Sequence, residues 1–174
     1  MPAAMMMGLI VLVSLAAWSD LRTRRIPNSI TVTGAAAGLL SHAFYHGVSG
    51  AVQSLAGAGL GLAIFLVFYV AGGMGAGDVK LFGAVGAFAG PQAVVVVFVF
   101  TALLGGVAAL ALALWHGRVR QTLVRMGEML IGMGRLRFGE FGTAAASPES
   151  LRLPYGAVIA GGTLLFLAVC RFPS

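Results

Sequence analysis

The sequence predicts an all-α, polytopic integral membrane protein with about six transmembrane helices. Of its 174 residues 59% are hydrophobic and only 9% charged, with a mean hydropathy of +0.98, which lies outside the range of water-soluble domains. Apolar runs of roughly 20 residues, the length that crosses a bilayer, recur along the chain. The basic residues collect between alternate runs.

The first span, 3–19, has no basic residue before it and Arg22, Arg24 and Arg25 after it. That reverses the charge order of a secretory signal, so it reads as a retained helix with its N-terminus outside. Spans at 29–46 and 50–72 follow. The long run from Val79 to Trp115 is interrupted by Gly90-Pro91-Gln92, read as a tight outside turn between spans 78–90 and 92–115. The fourth span is too short to cross unless the point where it begins is recessed. The sixth is 154–171, and the whole chain reads as one domain, 1–174.

The one long connection, 117–153, carries Leu123, Met126, Leu130 and Met133 at helical spacing among arginines. This is the pattern of an amphipathic helix on the inner leaflet, with a docking lid as the other reading. Its Gly-, Ala- and Ser-rich part from Gly139 to Ser150 reads as a flexible connector.

With the N-terminus outside, nine arginines from Arg22 to Arg152 and Lys80 face the cytoplasm and only Arg171 does not, as the positive-inside bias requires. Trp18 and Trp115 fall at span ends as interfacial anchors. The net charge of +6 sits beside apolar spans rather than along a polar groove, so membrane lipid is the expected partner and nucleic acid is not. The pairs Gly34/Gly38, Gly57/Gly61 and Gly86/Gly90 mark close helix packing. The single cysteine, Cys170, excludes an internal disulfide and a multi-cysteine zinc site.

Asp20 and Asp78 are the only aspartates, and both fall at the cytoplasmic boundary of a span. A carboxylate at bilayer depth costs about 2.5–3.5 kcal/mol, so such residues are usually functional and paired. Two carboxylates in one cleft share a proton, leaving one as base and the other as acid. Taken singly, Asp78 is also a suitable helix cap, and Asp20 a counter-charge for the neighbouring arginines. The glycine-rich run 72–77 before Asp78 makes Gly75 and Gly77 candidates for close approach of an extended substrate backbone.

Three stretches resemble the type IV prepilin peptidases, membrane aspartic proteases of the Gly-x-Gly-Asp class. They are Asp20-Leu-Arg-Thr-Arg-Arg-Ile-Pro-Asn28, Gly73-Met-Gly-Ala-Gly-Asp-Val-Lys-Leu81 and Leu153-Pro-Tyr-Gly156. The resemblance implies that Asp20 and Asp78 are the catalytic pair, with no metal. It implies a prepilin substrate whose leader is cut at the cytoplasmic face of a bacterial inner membrane. Larger members carry an N-terminal region with paired cysteines, associated with N-methylation of the new pilin terminus. Those cysteines are missing here, so neither methyl transfer nor its cofactor is expected, and the compact form looks like the peptidases of tight-adherence (Tad/Flp) pilus systems.

Lys80, Arg22, Arg24 and Arg25 are candidates for holding a substrate carboxylate, against a plain topological role. Tyr155 is a candidate cleft residue or a packed interfacial aromatic. Asn28 or Ser29 is expected to cap the second helix, and His42, His46 and His116 read as loop or interface residues. Glu128, Glu140 and Glu149 read as solvated. Two rival functions use the same aspartates: a small proton-coupled transporter, and a non-enzymatic assembly subunit of a pilus or secretion machine. The sequence leaves the oligomeric state open.

Overall fold

A computed structural model describes residues 1–71, 73–115 and 154–170. The stretch 117–153, with its expected amphipathic helix, lies outside them, as do His116 and the three glutamates. The described residues form four helices and no strand: α1 (Ala3–Thr23), α2 (Asn28–Val70), α3 (Ala76–Trp115) and α4 (Tyr155–Val169). The first three are each long and apolar enough to cross a membrane, and α4 is a shorter apolar helix. Met7, Leu40, Phe44, Val48 and Leu103 point outward as freely as leucines and valines point inward. Apolar side chains on both surfaces of a bundle mark a protein whose solvent is lipid.

Both long helices are broken, and glycine is the reason. Gly47 in α2 has φ 61° and ψ −144°, and Gly90 in α3 has φ 78° and ψ 172°. These conformations are closed to residues with a Cβ. The breaks fall where the second and third, and the fourth and fifth, spans are divided in the sequence.

The half of α3 before Gly90 is the centre of the molecule. Every residue from Leu81 to Phe88 is buried, between the two halves of α2. On one side Gly38 lies against the backbone of Ala87 and Phe88. On the other, Gly57 and Gly86 meet backbone to backbone, and a Cβ at Gly61 would stand 2.7 Å from the Phe82 carbonyl oxygen. Phe65 stacks on Phe82 with ring centroids 4.0 Å apart. In lipid, where hydrophobic exclusion between helices is absent, such close approach supplies the packing energy. The helix α1 adds Leu9, Leu12, Val13 and Ala16 to this core, and α4 adds Ile159, Ala160, Phe166 and Leu167.

The break at Gly90 creates a debt of hydrogen bonds that two side chains settle. Pro91 has no N–H, so the Ala87 carbonyl four residues earlier loses its helical donor. Ser54 Oγ donates to that oxygen at 2.8 Å, and His42 Nε2–H donates to the Phe88 carbonyl at 2.9 Å. Neither carbonyl could find water in an apolar interior. His42 is thus a buried residue of the packed core, not the loop or interface residue expected. Replacing Ser54 by alanine is expected to lower stability in detergent by about 1 kcal/mol, read from thermal unfolding, without changing the chemistry at the other end of the bundle.

Candidate active site

The end of α1, the start of α3 and the start of α4 meet at the end of the bundle opposite the two breaks. The helix α1 runs past its expected limit at residue 19 to Thr23, which places Asp20 in its last turn. The helix closes on Arg24, at φ 52°, whose N–H bonds to the Asp20 carbonyl at 2.8 Å, a left-handed C-terminal cap.

The Asp20 side chain is 7% exposed. Its Oδ2 accepts the Gly156 N–H at 2.8 Å. Gly156 is the second residue of α4, so this N–H is one of the donors a helix leaves unpaired at its start. The carboxylate also meets the positive end of the α4 dipole. A Cβ on residue 156 would stand 2.9 Å from both Cβ and Oδ2 of Asp20. Only glycine permits the approach.

Asp78 lies in the first turn of α3, after Gly75. Its Oδ2 accepts the Gly75 N–H at 3.1 Å, while its own N–H donates to the Gly75 carbonyl at 3.1 Å. The side-chain bond is the reach-back half of a capping box, in which Asp78 caps the helix from inside it; the other bond is backbone to backbone, since Gly75 has no side chain. Capping therefore occupies one of its two oxygens.

The two aspartates lie within reach of each other's charge, and the Tyr155 hydroxyl within reach of Asp78. Each carboxylate is held by Oδ2 on a glycine N–H. Among the described residues each Oδ1 has no hydrogen-bond partner. Two fixed carboxylates with one open oxygen apiece can take up, hold and return protons on a group placed between them.

Other expected site residues have different neighbours. Lys80 Nζ donates to Asn28 Oδ1 at 2.9 Å. The N-cap position of α2 is Pro27, with no side-chain cap, so neither Asn28 nor Ser29 has the capping role expected. The Arg22 guanidinium lies over the Trp18 ring, 4.7 Å from its centroid. Gly77 faces Ile26, whose Cβ would be 3.4 Å from a Cβ on residue 77. Among the described residues no three His, Cys, Asp or Glu side chains form a metal-binding group.

Gly156 is the site residue that the sequence reading left without a role. Its signal was Pro154-Tyr155-Gly156 opening an apolar helix, a place where an unpaired N–H and a missing side chain coincide.

The model of the type IV leader peptidase family matches residues 7–110. The match takes in both aspartates and Gly75 and stops before α4. No curated protein and no solved structure matches the chain.

Proposed function

As the chain belongs to the type IV leader peptidase family, we propose that it is an aspartic-type endopeptidase in which Asp20 and Asp78 cut the leader from a prepilin. The observation that carries this reading is the matched anchoring of the two carboxylates, each tied to a glycine N–H through Oδ2. With one proton between them, the ionised aspartate takes a proton from water as the water oxygen attacks the scissile carbonyl carbon. The protonated one donates to the carbonyl oxygen. Collapse of the tetrahedral intermediate then breaks the C–N bond, and a carboxyl proton passes to the leaving amine.

The site faces the cytoplasm in this reading, with six spans in the bacterial inner membrane oriented by their arginines. Gly75 leaves room beside Asp78 for an extended substrate backbone. Tyr155, near Asp78, would line the same cleft. A prepilin anchored by its apolar helix presents its leader boundary at a fixed depth, so insertion does part of the positioning.

In this reading the peptidase is of the Tad/Flp type and transfers no methyl group. Co-expression with an Flp-type prepilin, followed by mass spectrometry of the product, is the test. A cleaved pilin with a free, unmethylated N-terminus is expected. An uncut precursor would overturn the peptidase assignment to that substrate, and an N-methylated product the claim about methyl transfer. Proton flux in proteoliposomes, lost on mutation of either aspartate and unaccompanied by cleavage, would favour the transporter instead.

A further inference from the structure

The connection between α1 and α2 is bonded more heavily than a short helix linker requires. Ser19 Oγ donates to the Arg25 carbonyl at 2.8 Å, and the single Thr23 hydroxyl proton is shared between the Ser19 carbonyl at 2.9 Å and the Arg25 carbonyl at 3.1 Å. These bonds fold the chain after Arg24 back against the turn of α1 that carries Asp20. One residue further, Ile26 packs on Gly77. Two residues beyond that, Asn28 Oδ1 receives Lys80 Nζ. Gly77 and Lys80 stand on either side of Asp78. The linker is thus a strap, fastened at one end around Asp20 and at the other around Asp78.

The placement of Lys80 needs a cause of its own. An ammonium beside the first turns of α2 and α3 lies where helix dipoles disfavour a cation, and Arg22, Arg24 and Arg25 are close in sequence to the strap. Among the described residues its one hydrogen-bond partner is the Asn28 amide oxygen, in a charge-assisted bond that spans 52 residues of sequence.

We propose that Asn28 and Lys80 are positioning residues that fasten the strap and so set the spacing of Asp20 and Asp78, without touching the substrate. This rests on the two aspartates acting as a pair. Misplacement of reacting groups by about 1 Å costs up to about a hundredfold, so Asn28→Ala and Lys80→Met are each expected to lower kcat by about 10- to 100-fold. KM should stay within about twofold, because substrate binding is untouched. The double variant should be no slower than the slower single one, since both remove the same bond. Asn28→Asp and Lys80→Arg keep a donor and an acceptor in place and should restore most of the rate.

A second measurement is independent of activity. In a Cys170→Ser background, Ile26→Cys and Gly77→Cys would bring two Cβ atoms to 3.4 Å, close enough for a disulfide. Mild oxidation in membranes should cross-link them, and adding Asn28→Ala or Lys80→Met should lower the yield. An unchanged yield, multiplying losses in the double variant, or a raised KM with unchanged kcat in Lys80→Met would each overturn the proposal. If the wild type cuts no prepilin while the cross-link behaves as expected, the strap stands and the peptidase reading fails.

Discussion

Asp20→Asn and Asp78→Asn are each expected to abolish measurable cleavage of a co-expressed prepilin, with losses of about 10²- to 10⁴-fold or more. Asparagine keeps the size of the side chain and an oxygen for the glycine N–H, so the bonds from Gly156 and Gly75 can survive. It cannot accept or return a proton. Membrane insertion and thermal stability should therefore stay near wild type, while product on an immunoblot disappears. The two losses should not multiply in the double variant, because a pair sharing one proton works as a unit. Full processing by either single variant would remove the aspartate pair from the mechanism.

Gly156→Ala is expected to cost about a hundredfold in rate, although it adds only a methyl group at a position outside the chemistry. The new Cβ would have to stand 2.9 Å from Asp20 Cβ and Oδ2. Either the Asp20 side chain turns away or the start of α4 withdraws, and the bond to Gly156 is lost in both cases. By contrast Gly59→Ala, where nothing lies within 4 Å of the added carbon, should leave cleavage unchanged. Equal activity of the two variants would show that the glycine at 156 has no part in holding Asp20.

The fold was legible in the sequence wherever composition decides it. Runs of Leu, Val and Phe predict long apolar helices, which the described residues form, and Gly90-Pro91 predicts a break, which α3 has at Gly90. The length of α1 was harder to read, because Asp20 and Arg22 suggest an exit from the membrane although the helix continues through them to Thr23. The roles of polar residues among apolar ones were hidden for a different reason. His42 and Ser54 take their meaning from the Phe88 and Ala87 carbonyls at the Gly90-Pro91 break, more than thirty residues away. Both aspartates stood out because the chain has no others. Their partners did not, since a backbone N–H looks alike at every residue and only folding decides which one is left free. Lys80 and Asn28 illustrate the same limit: each sits beside an aspartate motif in sequence, but their bond to one another exists only once α2 and α3 are packed.

The bond between Asp20 and Gly156 joins residues 136 positions apart, and this imposes an order on biosynthesis. The first aspartate enters the membrane with the earliest helix, whereas the N–H that anchors it arrives with the last helix described. The contacts between the halves of α2 and the start of α3, at Gly38, Gly57 and Gly61, involve no residue of α4 and can form before it has been made. On the proposed reading the chain gains a working carboxylate pair only afterwards. A ribosome-bound or truncated chain lacking α4 would therefore lack the N–H that anchors Asp20, and proteolytic power would appear only once that helix is in place.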